Sequence, residues 1–208
     1  MNIPYLLIFL RLLLFAPIIV LSAFYLDDKA RGIIITLMFL GLISDIFDGI
    51  IARKQNISTV KMRRLDSQVD LIFWLSISFS CYILNPEIIE KHKIGILFLV
   101  IMEGLCYLIS FIKFRKETCT HAFLSKIWGL FLFSTFLSII GFNYGGIILY
   151  STIILGIISQ LDVILIILIL PKWQNDIPSS YHFYLIRKGI PFKKNKLLNS
   201  RNENYSLR

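Results

Sequence analysis

The chain has 208 residues, 56% of them hydrophobic, and a formal net charge of +9. That apolar fraction excludes an ordinary soluble domain and places the chain in the membrane class. The basic excess comes with no recognisable nucleic-acid-binding module, which argues against nucleic acid as the partner.

Read in chain order, six apolar segments each approach the ~20 residues that a membrane-spanning helix needs. They run Ile3–Leu26, Ile33–Ala52, Leu65–Leu84, Ile94–Lys113, Ile127–Gly141 and Ile147–Leu170, the fifth being the shortest. The expected fold is therefore all-α: a polytopic integral membrane protein with six transmembrane helices in one domain over residues 1–171. A cleaved signal peptide is disfavoured, because no basic segment precedes the first apolar run and Arg11 interrupts it. Between the second and third spans, Lys54–Arg64 mixes Ile57, Val60 and Met62 with Lys61, Arg63 and Arg64, a pattern expected of a hairpin turn at the membrane interface. From Lys172 the composition shifts to a basic, Asn-rich tail over residues 172–208, expected to be disordered after Lys193.

Basic residues set the expected orientation. With the Lys54–Arg64 connector on the cytoplasmic side, 17 of the 22 Lys and Arg fall on that face, and Lys29, Arg31, Lys91 and Lys93 on the other. Both termini are then cytoplasmic, and the expected location is the inner (cytoplasmic) membrane. Cys81, Cys106 and Cys119 are odd in number and lack ligand spacing, so they are read as reduced and structural.

Four aspartates stand where an apolar chain should tolerate no charge. Asp45 and Asp48 lie three apart in the second span, and Asp66 and Asp70 four apart at the start of the third. Either spacing puts a pair on one face of its helix. Two such faces turned toward each other present four carboxylates to one point. Carboxylates so crowded repel unless cations lie between them, and all-oxygen ligands favour hard ions such as Mg²⁺, Mn²⁺ or Ca²⁺. The structural alternative is neutralisation by Arg11, Lys54 or Arg64, or burial in the protonated form. Glu103 and Asp162 also lie inside apolar spans and are expected to have packing or lining roles.

These residues resemble the signature of the CDP-alcohol phosphotransferases, D-x-x-D-G-x-x-A-R-(x8)-G-x-x-x-D-x-x-x-D. Asp45, Asp48, Gly49, Ala52, Arg53, Asp66 and Asp70 fall on it in register, and Met62 replaces the second glycine. At the N-terminus, Asn2, Pro4 and Arg11 resemble in part the N-x-P-N-x-x-T-x-x-R first helix of phosphatidylglycerophosphate-synthase-like members. The resemblance implies transfer of a phosphatidyl group from CDP-diacylglycerol to an alcohol, with release of CMP and glycerol 3-phosphate as the favoured acceptor. It makes Asp45, Asp48, Asp66 and Asp70 ligands to two Mg²⁺ or Mn²⁺ ions, which in two-metal sites lie about 3.5–4 Å apart. Asp70 is also the expected catalytic base. Gly49 and Ala52 would let the donor approach the backbone, Arg53 would fork onto phosphate oxygens, and Met62 would border the nucleotide. Lys126, following Ser125 at the start of the fifth span, would hold an anionic acceptor. His121 is read as incidental. The implied partners are the two substrates and membrane lipids, and a homodimer is left open.

Two other readings stay open at this level. Met62 could mark a catalytically silent homologue with an altered nucleotide pocket. A cation- or proton-coupled transporter would also carry inward carboxylates, but neither mid-membrane helix breaks nor inverted repeats are evident.

Overall fold

The structure is a computed structural model that describes residues 3–55, 59–116 and 123–170. Seven helices account for nearly all of them: α1 (Ile3–Phe24), α2 (Asp28–Lys54), α3 (Val60–Leu84), α4 (Pro86–Lys91), α5 (Lys93–Phe114), α6 (Phe123–Phe142) and α7 (Ile147–Ile169). All but α4 are long and apolar enough to cross a membrane, giving six transmembrane helices. Outward-facing side chains such as Phe9, Leu13, Leu75 and Ile154 are exposed, as lipid-facing residues are. The basic tail beyond Leu170, together with Cys119 and His121, lies outside the described residues.

Helix ends depart from the apolar runs where polar side chains supply caps. α2 begins at Asp28 rather than at Ile33, because Asp27 Oδ1 accepts the Ala30 amide at 3.1 Å and the Asp27 carbonyl accepts the Arg31 amide at 3.2 Å. Thr59, with extended backbone, accepts the Met62 amide on its hydroxyl at 3.2 Å and starts α3 five residues ahead of its apolar run. Much of the expected interfacial connector is thus helix. α6 is 20 residues long, so the fifth span reaches full length by recruiting Ser125 and Lys126. It ends on Asn143, at φ 53°, whose amide returns to Ile139 O at 3.1 Å while that of Tyr144 returns to Ser138 O, also at 3.1 Å. The short α4, led by Pro86 at its first turn, was not anticipated.

The chain divides into two compact units. The first is drawn from Met1–His92 and Ser134–Gly146, the second from Lys93–Phe133 and Ile147–Arg208. In the first, α1 packs against both α2 and α3. Ile8, Ala52, Met62 and Val69 form one buried cluster there, flanked by Tyr5 and Leu12. Ser44 donates to Leu7 O at 2.9 Å and fixes the register of α2 on α1. Trp74 packs edge-on to Phe73 at 5.4 Å and stacks on Phe136 at 5.9 Å. Away from the aspartate-bearing turns, Arg31 donates to Leu84 O at 2.9 Å, Asn85 Oδ1 at 3.1 Å and Ile140 O at 3.0 Å. Those carbonyls end helices and have no intrahelical partner, so one guanidinium ties α2 to the ends of α3 and α6.

In the second unit α5 packs on α7, with Cys106, Val163, Ile166, Ile167 and Leu170 buried together. Gly156 admits Leu99 and the Trp128 indole against the α7 backbone. Lys113 donates to the carbonyls of Ile167 at 3.0 Å and Leu168 at 2.6 Å, meeting the last turn of α7. Glu103 accepts a hydrogen bond from Gln160, and the Cys106 thiol donates weakly to Gln160 O at 3.6 Å. Cys81 and Cys106 are buried and free, as structural thiols are.

Gly41 offers a direct test of the α2–α3 packing. A Cβ built there meets the Phe73 ring, with Cε1 at 2.7 Å, and that ring is buried and held edge-on against Trp74. Alanine gains roughly 1 kcal/mol of helix propensity over glycine, whereas overpacking a fixed ring costs about 1–3 kcal/mol. Gly41→Ala is therefore expected to lower the melting temperature in detergent. Gly104→Ala, where no neighbour lies within 4 Å of the added carbon, should leave it level or raise it. Equal behaviour of the two variants would contradict the close approach.

Candidate active site

The site is built where α1, α2 and α3 meet. The three-residue spacing of Asp45 and Asp48 puts both on the α1-facing side of α2. The four-residue spacing of Asp66 and Asp70 does the same on α3. Carboxylate oxygens of Asp45, Asp48 and Asp66 lie within 4.8 Å of one another. The two helix faces therefore do meet, and the aspartates converge.

Arg11 of α1 lies at their meeting point. Its Nη1 is 3.1 Å from Asp45 Oδ1 and 3.2 Å from Asp66 Oδ1, and it also donates to Asp70 Oδ1. Its Nη2 donates to Asp48 Oδ2. The arginine side chain is 1% exposed, Asp48 2%, and Asp45 43%, so the cluster has a closed floor and an open rim at Asp45. Asp66 and Asp70 are part-exposed. Arg11 thus contacts all four carboxylates at once, in surroundings where unpaired charge is costly.

The donor set fits a hard divalent cation. All of its ligand atoms are carboxylate oxygens, with neither His nor Cys in the group. Mg²⁺ binds oxygen at 2.0–2.1 Å, so two ligands to one ion lie at most roughly 4.2 Å apart. The observed 4.8 Å limit is within a small contraction of that span. Asp45, Asp48 and Asp66 would hold such an ion, with Asp70 one turn further along α3.

The remaining signature residues divide. Gly49 is part-exposed beside Asp48 on α2. Ala52 and Met62 are buried, Met62 at 4% exposure, packed with Ile8 and Val69. The methionine thus fills the contact between α1, α2 and α3. Arg53 lies in the last turn of α2, and its side chain is outside the described set. Lys126 is exposed in the first turn of α6 and belongs to the second unit.

Sequence reasoning named Arg11 as one of three candidate neutralisers without giving it the centre of the site. The available signal was that it is the lone charged residue within the first apolar run. It also missed Gln160, which is uncharged and so raised no flag, although it is buried and hydrogen-bonded to Glu103.

Comparison with known proteins gives the family. Residues 1–158 match the family model of the CDP-alcohol phosphatidyltransferases. A relative from Aquifex aeolicus (strain VF5), a CDP-diacylglycerol–glycerol-3-phosphate 3-phosphatidyltransferase, is 31% identical over 178 residues, covering 83% of this chain and 92% of that protein. No solved structure matches. With the match spanning α1 through the first half of α7 and the four aspartates assembled between α1, α2 and α3, the chain belongs to the CDP-alcohol phosphatidyltransferase family.

Proposed function

We propose that this membrane enzyme transfers the phosphatidyl group of CDP-diacylglycerol to glycerol 3-phosphate. The observation that carries the reading is the convergence of Asp45, Asp48, Asp66 and Asp70 on one point between three helices. The choice of acceptor is supported by the similarity to the Aquifex aeolicus glycerol-3-phosphate phosphatidyltransferase. In the reaction, the acceptor hydroxyl oxygen forms a bond to the phosphorus that carries the diacylglycerol. The bond from that phosphorus to the bridging oxygen breaks, and CMP leaves. Two bound divalent ions, Mg²⁺ or Mn²⁺, would supply charge neutralisation to the diphosphate and to the departing phosphate.

The chain's own groups do the rest. Asp45, Asp48 and Asp66 are the ligand set, and Asp70 takes the acceptor proton. Part-exposed Gly49 leaves space for the donor against α2. Arg53 is assigned to phosphate recognition, a role its forked basic side chain suits, and the assignment of Lys126 to an anionic acceptor rests on the sequence resemblance alone. The open rim at Asp45 suits a charged headgroup entering from water while the acyl chains stay in the bilayer. The topology expected from the sequence, which assigns 17 of the 22 Lys and Arg to one face, supports a cytoplasmic site, cytoplasmic termini and an inner-membrane location.

The test is CMP release by purified protein in detergent or nanodiscs, with CDP-diacylglycerol and a panel of acceptors. Glycerol 3-phosphate is expected to give the highest turnover among glycerol 3-phosphate, inositol, inositol phosphate, serine and phosphatidylglycerol. Excess EDTA should abolish turnover, and Mg²⁺ or Mn²⁺ should restore it. Undiminished turnover in EDTA would reject the metal assignment, and preference for serine or inositol would reject the acceptor.

Burial of Met62 supports an adapted site over a blocked one. Met62→Gly removes a side chain packed on Ile8 and Ala52, a truncation that costs at least the 2–5 kcal/mol typical of Met→Ala, plus about 1 kcal/mol of helix propensity. The variant should melt at a lower temperature and release CMP no faster than wild type at matched metal. A silent wild type awakened by glycine would show instead that the methionine blocks the donor.

A further inference from the structure

We propose that Arg11 is a tethered counter-cation that occupies the position of the divalent metal, so that metal loading displaces its guanidinium and Arg11 sets the metal affinity of the site. The inference rests on the divalent-metal part of the function proposed above.

Three observations carry it. The first is position. Nη1 lies 3.1 Å from Asp45 Oδ1 and 3.2 Å from Asp66 Oδ1, and it donates to Asp70, while Nη2 serves Asp48. An ion bound at 2.0–2.2 Å to the Asp45 and Asp66 oxygens that Nη1 approaches would compete with it for the same lone pairs and press against it. Two positive groups pressed together there, away from bulk water, would repel strongly. Guanidinium and metal therefore exclude each other.

The second is incomplete satisfaction. Arg11 Nε is buried and has no hydrogen-bond partner among the described residues. Each buried N–H left unmet costs free energy, so this guanidinium is held less tightly than a fully satisfied one. The arginine is bound through its tip alone, which leaves it free to withdraw when a stronger cation arrives.

The third is charge. Arg11 brings a single positive charge to four carboxylates, where a divalent ion brings two. That limits repulsion between α2 and α3 before metal binds, yet it leaves most of the attraction for a divalent ion intact. Arg11 is thus a positioning residue: it acts on the aspartates and is not assigned a contact with the reacting atoms.

The consequence has a sign that an ordinary structural arginine would not give. Removing a residue that merely scaffolds the ligands weakens metal binding. Removing a competitor strengthens it, while the metal-free protein loses stability. The experiment measures Mn²⁺ binding by the electron paramagnetic resonance of free Mn²⁺, with no substrate present, for full-length wild type, Arg11→Gln and Arg11→Lys in detergent. Melting temperature is recorded over the same titration. Arg11→Gln is expected to melt lower than wild type without metal, to bind Mn²⁺ at least tenfold more tightly, and to gain more stability on loading. Arg11→Lys keeps the charge on a compact head that reaches fewer carboxylates. It should fold without metal and bind Mn²⁺ with intermediate affinity, giving a reading even where Arg11→Gln does not survive purification. Affinity equal to or weaker than wild type in the folded variants would overturn the competitor role and leave the metal site standing. Absence of Mn²⁺ binding in wild type and variants alike would overturn both.

Discussion

Four carboxylates and one guanidinium, gathered between three apolar helices, set the terms for the first unit. Separated, each charge would be costly inside the membrane, and together the aspartates repel. Arg11 resolves the conflict by reaching from α1 to carboxylates on both α2 and α3. The packing of α1 on those two helices, the Ser44–Leu7 hydrogen bond and the buried cluster of Ile8, Ala52, Met62 and Val69 all hold that encounter in register. The result is a small polar centre with a dry floor at Asp48 and a wet rim at Asp45. Such asymmetry suits a reaction whose reacting phosphates are charged and whose product remains a lipid.

Much of this was legible in the sequence, for physical reasons. Six apolar runs of spanning length can satisfy their backbone in lipid only as helices or closed barrels, and their length and lack of alternation selected helices. The three- and four-residue spacings of the aspartates already assigned each pair to a helix face. Helix ends were less legible, because Asp27, Thr59 and Asn143 set them through local hydrogen bonds that hydropathy does not register. The fifth span looked short for the same reason. Ser125 breaks the apolar run, yet its hydroxyl shares a hydrogen bond with Ser159 of α7 at 3.0 Å and the helix continues through it.

The candidate site shows where one-dimensional reading stops. Arg11 is separated from Asp70 by 59 positions, and no spacing rule links them. Only the packing of α1 across α2 and α3 brings them together. Met62 has roles that its place in the motif does not announce. Its position, where the signature has glycine, suggests a nucleotide contact. In the fold its amide completes the Thr59 cap and its side chain joins the hydrophobic cluster, so it does two structural jobs at once. The same limit applies to Gln160, whose importance depends on a partner, Glu103, that lies 57 residues away.

That the aspartates of α2 and α3 form one cation-binding point is open to direct measurement. The most direct measurement is anomalous scattering from crystals of the protein grown with Mn²⁺. A peak is expected within about 2.0–2.3 Å of oxygens from Asp45, Asp48 and Asp66, with the Arg11 guanidinium withdrawn from it. A peak bound elsewhere, at Glu103 for example, or a Mn²⁺-saturated crystal with Arg11 still enclosed by the four carboxylates, would contradict it.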